Sequence, residues 1–212
     1  QQTNEAAYAL GKVARGAFGT RFYDANTTLC MASAVAAYYQ AFGSDAPPPT
    51  YDDVPPADTH VVWGANPAVA HPVLYRRIAD SAAEGRLIVV DPVETKTAAD
   101  ADIRVAPEPG TDLALARAVL ARVVERGGVD EACVDAHTEG FDEMKAARPD
   151  VETAAATAGV DAETVDRIAA ALHADSLVYW GMGVNQSVQG TDTARALIDL
   201  CLATGNMGPG TG

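Results

Sequence analysis

A chain of 212 residues, 48% of them hydrophobic, is long enough to bury a full core as one domain and too apolar to be disordered. Its 29 acids against 15 bases leave a formal net charge of −14, which repels nucleic acid and anionic membranes and excludes both as partners. No run of about 18 apolar residues occurs, so no membrane-spanning helix is expected, and without a secretory signal pattern the expected location is cytoplasmic.

Residues 3–16 carry Ala7, Leu10, Val13 and Ala14 on one helical face, with Thr3 as a cap. A polar loop through Asp24 and Asn26 precedes a helix over about 31–42 that Gly43 stops. Prolines 47–49 and 55–56 exclude a helix interior from 44–56. A strand is expected at 60–63, running into Gly64-Ala65-Asn66-Pro67, then a helix from Pro72 to about Gly85. The next strand, 87–90, ends on Asp91-Pro92, and a short one at 103–105 leads to Pro109-Gly110-Thr111-Asp112. A long helix follows to about Glu125, before Gly127-Gly128, and two or three helical pieces fill 130–174, one entered at Asp161. A last strand at 177–180 gives way to Gly181-Met182-Gly183 and a helix over about 191–203.

Short apolar strands alternating with helices predict an α/β fold, a doubly wound and mostly parallel sheet with helices on both faces, with residues 1–212 as a single domain. Ligands bind such sheets at the carboxyl ends of the strands. That makes the strand exits the candidate site: Gly64, Ala65 and Asn66; Asp91; Gly110 and Asp112; Gly181, Met182, Gly183 and Gln186. Gly64 lets the backbone approach a ligand, and Asp91 ends a strand where an acid accepts from ribose hydroxyls. Asp112 reads either as a helix N-cap or as a carboxylate for the N–H edge of guanine. Gln186 stands where a third glycine would complete G-x-G-x-x-G, so a standard NAD site is not expected. The four histidines have no metal-like spacing.

Cys30, Cys133 and Cys201 are odd in number and form no C-x-x-C, so neither a disulfide framework nor a zinc ribbon or iron–sulfur cluster is built from this chain alone. Cys133 and Cys201 fall in helical apolar patterns and are read as core. Cys30 lies where a polar loop becomes an apolar helix, and a helix start suits a thiolate that attacks or binds a soft metal. By position alone, a small buried apolar residue is the simpler reading. The acidic, lysine-poor surface suits a salt-adapted organism, and both chain ends read as cuts in a longer protein.

Several motifs occur in order: Thr-Asn-Glu at 3–5, Leu29-Cys30-Met31-Ala32-Ser33, Gly64-Ala65-Asn66-Pro67 with His71-Pro72, Val90-Asp91-Pro92, Pro109-Gly110-Thr111-Asp112, Trp180-Gly181-Met182-Gly183 with Gln186, and Thr204-Gly205-Asn206. Together they resemble the molybdopterin oxidoreductases of the dimethyl-sulfoxide-reductase family, and within it nitrate reductases, particularly assimilatory ones. The resemblance implies a Rossmann-like domain holding one molybdopterin guanine dinucleotide of a molybdenum bis(molybdopterin guanine dinucleotide) cofactor. It implies Cys30 as the molybdenum ligand, with Met31 beside it at the reaction centre. It also implies cofactor contacts from Gly64, Ala65, Asn66, Asp91, Pro92, Gly110, Asp112, Gly181, Met182, Gly183 and Gln186. Val69 and Val93 stand where relatives carry an acid and an arginine, so Glu94 or Thr95 is expected to contribute instead. The implied reaction is oxygen-atom transfer from nitrate to give nitrite. An iron–sulfur cluster is implied in an N-terminal region outside this chain, and ferredoxin or an NAD(P)H-linked partner as electron donor. The isolated chain is expected to be inactive. Formate dehydrogenases, which resemble this pattern but carry His where Met31 stands, are the alternative; a non-catalytic scaffold of the same fold has no use for Cys30.

Overall fold

The computed structural model describes residues 3–24, 26–173 and 175–206. The four apolar runs form strands β1 (Thr59–Trp63), β2 (Arg86–Val90), β3 (Ile103–Val105) and β4 (Ser176–Trp180). They lie side by side in the order β3-β2-β1-β4, every pair parallel, so the sheet is wholly parallel among the described residues. Such pairing requires crossover connections. The chain runs through α1 (Asn4–Lys12), α2 (Thr27–Cys30) and α3 (Ala32–Phe42) before β1. It then passes α4 (Pro67–Ala70) and α5 (Pro72–Ala82) before β2. Only a single 3-10 turn, Ala98–Asp100, lies between β2 and β3. Between β3 and β4 come α6 (Asp112–Glu125), α7 (Glu131–His137), α8 (Phe141–Ala146), α9 (Val151–Thr157) and α10 (Ala162–Ala171). The chain closes with α11 (Met182–Asn185) and α12 (Gly190–Ala203).

Period-two alternation sends the strand side chains to two unequal layers. Val61, Trp63, Ile88, Val90 and Val105 join a thick core with residues of α3, α6, α9, α10 and α12. Val62, Leu87, Val89 and Leu177 face a thin one closed by Ile78 of α5, Val54, Ala57 and Ala98. Helices thus cover both faces, as expected. The centre of the thick layer is α6, seven of whose fourteen residues are buried. Arg122, near its end, reaches Glu125 (3.1 Å), Glu152 of α9 (3.0 Å) and Asp166 of α10 (3.1 Å), tying three helices through one guanidinium.

Part of the acid excess is used in capping. Asp130, Asp150 and Asp161 accept the first free N–H groups of α7, α9 and α10. Hydrogen bonds from the Thr153 and Thr164 side chains, followed by those from their backbone N–H groups, hold the Asp150 and Asp161 carboxyls below the usual range.

Three expectations need correction. The stretch 130–174 holds four helices rather than two or three, because the loops break it at each aspartate cap and at Gly140, whose φ is +82°. Short helices also form at 27–30, 67–70 and 182–185, each too brief to show a period in sequence. Finally, α1 has its Thr3 cap, but of the expected apolar face only Ala14, just beyond the helix, is buried, since α1 meets little besides the π-helical turn Val13–Ala17 that follows it.

His60 is fully buried on β1, with Nδ1 3.1 Å from the Tyr179 hydroxyl. Burial pushes its pKa down to about 4, against a weaker upward pull from a backbone hydrogen bond at Ala57 and from Asp58. Folding therefore favours the neutral ring. The unfolded chain takes up a proton as pH falls below about 6.5 and the folded one only near about 4, so stability drops across that window. Urea titrations should show the native chain losing about 2 kcal/mol more between neutral pH and pH ~4.5 than His60→Gln does; parallel profiles would contradict this. The net charge of −14 also predicts a thermal midpoint that rises as potassium chloride goes from about 0.1 to about 1 M, where screening shortens to about 3 Å.

Candidate functional site

Strand order reverses between β1 and β4, so the exits of these two strands flank the crevice where α/β sheets bind ligands. Gly64 N–H donates to Val90 O (2.9 Å), Gly181 N–H to Trp63 O (3.2 Å) and Gly183 N–H to Gly64 O (3.0 Å). The exits are in backbone contact: a Cβ on Gly183 would lie 2.8 Å from both Cα and O of Gly64, and one on Gly181 would lie 2.9 Å from Ala65 Cβ. Gly64 also holds φ at +55°, a conformation that costs any side-chain-bearing residue.

This closure aims the turn after β4. Gly181 begins α11, which carries Met182 and ends just before Gln186. Cys30 Sγ lies 3.6 Å from Met182 Sδ and accepts from Gln186 Nε2 at 3.5 Å, across 152 and 156 positions of sequence. Cys30, Met182 and Gln186 thus form one half-open group beside Gly64, Ala65, Gly181 and Gly183. Cys30 does not open the long helix as expected. It is the last residue of α2, and Met31 is the N-cap of α3. A Cβ on Gly190 would meet Asn185 O at 2.6 Å and Ser33 Oγ at 2.8 Å, so α3, α11 and α12 converge behind the thiol.

The other candidates follow the exits of β2 and β3. Asn66 Oδ1 accepts from Thr97 Oγ1 (2.8 Å) and Thr97 N–H (3.3 Å), while Thr97 Oγ1 accepts from Ala68 N–H (3.1 Å). Asn66 therefore clamps the β1 exit to the β2–β3 loop through its carbonyl oxygen. Asp91 Oδ1 accepts from Val93 N–H (2.8 Å), Thr95 Oγ1 accepts from Ala98 N–H (3.1 Å), and exposed Glu94 pairs with Arg104 at 3.5 Å. Pro92 is exposed in the same turn. Gly110, with φ +87° and open space around it, leads to Asp112 at the start of α6. The N-cap reading of Asp112 is wrong. Thr111 holds that position, and Asp112 Oδ1 accepts from the buried indole Nε1 of Trp63 at 2.9 Å.

Sequence reasoning missed Asn185, which is 7% exposed and whose Oδ1 has no hydrogen-bond partner among the described residues; no spacing marked it. Burial pushes the Cys201 thiol up to about 12, and burial together with Asp130 raises that of Cys133. Among the described residues no three His, Cys, Asp or Glu side chains gather to hold a metal. Any metal here would take one protein thiolate and draw its other donors from a cofactor. A cavity of 460 Å³ runs along the outer edge of β4, lined by all five of its residues.

The family model of the molybdopterin oxidoreductases matches residues 1–212. The assimilatory nitrate reductase of Haloferax mediterranei is 68% identical over 212 residues, covering 100% of this chain and 30% of that protein. Formate dehydrogenase H of Escherichia coli is 33% identical over 211 residues, 97% of this chain and 29% of that protein. The chain thus spans less than a third of the length of these relatives. Among solved structures, acetylene hydratase from Pelobacter acetylenicus superposes with a TM-score of 0.81 over 96% of this chain and 28% of that one, at 20% identity, a likeness of fold.

The backbone contact between the exits predicts that Gly183→Ala costs about 2 kcal/mol in urea unfolding, since the added methyl meets main chain that cannot step aside. Gly16→Ala, whose Cβ meets nothing within 4 Å, should be within about 0.5 kcal/mol of the parent. Equal effects would remove the special status of the Gly64–Gly183 approach.

Proposed function

The chain belongs to the molybdopterin oxidoreductase family, and from that premise we propose that its 212 residues form a single α/β domain of a longer enzyme that reduces nitrate to nitrite. In this reading the strand exits hold one of two molybdopterin guanine dinucleotides, and Cys30 ligates the molybdenum. The observation that carries it is the meeting of Cys30, Met182 and Gln186 at the β1/β4 switch point. Their chain is 68% identical over its full length to an assimilatory nitrate reductase.

The residues present fit such a group. Cys30 offers one soft thiol donor, with the Met182 thioether 3.6 Å away. The buried and unpartnered Oδ1 of Asn185, on the helix that carries Met182, is an acceptor that a ligand N–H would satisfy. When bound, the cofactor supplies two-electron oxygen-atom transfer. The protein's part is to bind and orient. Gln186 donates to the Cys30 sulfur and so fixes the position of that side chain. Met182 sets its thioether against the same sulfur at 3.6 Å. Met31, the residue that caps α3, lies next to the thiol in the chain. Asp112 has one oxygen held by Trp63, and its other oxygen suits the paired N–H donors of guanine. Asp91, with one oxygen held by Val93 N–H, suits a ribose hydroxyl. Gly64, Ala65, Gly110, Gly181 and Gly183 line the crevice with backbone, while Asn66, Pro92, Glu94 and Thr95 shape its β2 side.

The proposal extends to an iron–sulfur cluster in the N-terminal part of the parent enzyme and to ferredoxin or an NAD(P)H-linked donor, all in the cytoplasm. The acid excess accords with a salt-adapted source. Formate dehydrogenase H is also a relative, at lower identity.

In the full-length enzyme, Cys30→Ser should lower nitrate reduction by about 100-fold or more while leaving the circular dichroism spectrum unchanged. Normal turnover in that variant would overturn the ligand role. Formate oxidation without nitrate reduction by the unaltered enzyme would replace the substrate but keep the site, and absence of both activities with no bound molybdenum would favour a scaffold.

A further inference from the structure

Among the described residues the sheet ends at β4, which pairs with β1 on one side only. Along its other side runs the 460 Å³ cavity, with all five residues Ser176–Trp180 as its floor. Both layers of the fold rise beside that edge. Tyr38 and Ile198 wall it from the thick layer, Val54 and Leu74 from the thin one, and Pro48 and Tyr51 from the 44–56 segment. Tyr38 stacks on Trp180 with ring centroids 5.5 Å apart, fixing the upper end. Asn206 fixes the lower end, its Oδ1 accepting from Ser176 N–H at 3.0 Å. No charged residue lines the slot, in a chain of which 21% is charged and whose net charge is −14.

We propose that this slot receives an extended, apolar segment of the same parent polypeptide, from outside these 212 residues, which adds a fifth strand to the sheet beside β4. The inference rests on the reading that the chain is one domain of a longer protein. An unpaired strand edge presents backbone N–H and C=O groups that require partners when covered. Only another backbone supplies both along the whole edge; an apolar small molecule would bury them unpaired. The edge is recessed between the two walls, which keeps the β4 edges of two copies apart, whereas a single strand enters. The parent supplies abundant chain, since these residues match only 30% of a close relative, and a tethered segment arrives at high effective concentration.

The test uses the full-length protein. On an open edge, alternate amides of Leu177–Trp180 face solvent and exchange rapidly; with a strand alongside, every one of them should exchange at least about 100-fold more slowly than an unstructured peptide, whatever the protein concentration. Rapid exchange of alternate amides would overturn the proposal. So would protection that appears only at concentrations where the protein dimerises, because the occupant would then be a second copy. A second readout is Tyr51→Asp. Tyr51 is 65% exposed in this chain, with Arg77 5.9 Å from its ring, so a carboxylate is tolerated there if the slot stays open. A filled slot predicts a fall in thermal midpoint of about 3 °C or more for Tyr51→Asp and little change for Tyr51→Phe; unchanged midpoints in both would count against the strand. Neither readout involves substrate, so a parent enzyme that acts on formate, with β4 protected, would refute the nitrate reading and leave this one standing.

Discussion

The approach of Gly64 to Gly183 is the constraint on which the site depends. Parallel pairing of β1 with β4 brings the two exits side by side, but any Cβ at either position would hold them apart. With both side chains absent, the Gly183 N–H reaches Gly64 O and the turn after β4 starts α11 at once. That turn delivers Met182 and Gln186 to Cys30. A few tenths of an ångström of separation at the glycines would be passed on to the sulfur group, because close-packed interiors transmit such shifts.

Around this point the fold spends its apolar surface unequally. The thick layer, centred on α6 and tied across its outer face by Arg122, makes a rigid support beneath the β1 and β4 exits. The indole of Trp63 belongs to that layer, and its N–H bond to Asp112 links the end of β1 to the first turn of α6. The thin layer leaves the β2–β3 connection as loop, held by the Asn66–Thr97 clamp. Rigid support under one set of exits and an irregular loop beside another is a common arrangement for a site that grips an extended ligand. Three of the acids, Asp130, Asp150 and Asp161, serve outside this interior as helix caps.

Much of this was legible in the chain. Three of the four strands, β1, β2 and β4, were marked by a short apolar run ended by glycine or aspartate, and the long helices by their period and their stops at Gly43 and Gly127. Asp161 was readable as a helix entry, and its carboxylate does take the Thr164 N–H. The misreadings share a cause. Asp112 sits where a cap is statistically favoured, yet a residue 49 positions away offers a better donor, and tertiary contact overrode local preference. Cys30 was placed at a helix start because the four-residue turn before it is too short to show a period. The apolar face of α1 was read correctly as a pattern, but a pattern states only that a face should be covered, not what covers it.

The sequence by itself determined the parallel α/β architecture and the family, because these depend on residue type and order along the chain. Tertiary structure alone decided that Cys30, Met182 and Gln186 meet, that the carbonyl oxygen of Asn66 is spent on Thr97, that Asp112 serves Trp63, and that β4 keeps an open edge. The physical reason is that periodicity and turn chemistry act over a few residues. The pairing of a donor with an acceptor 150 positions away is fixed only when strand order and backbone contact have set the distance between them.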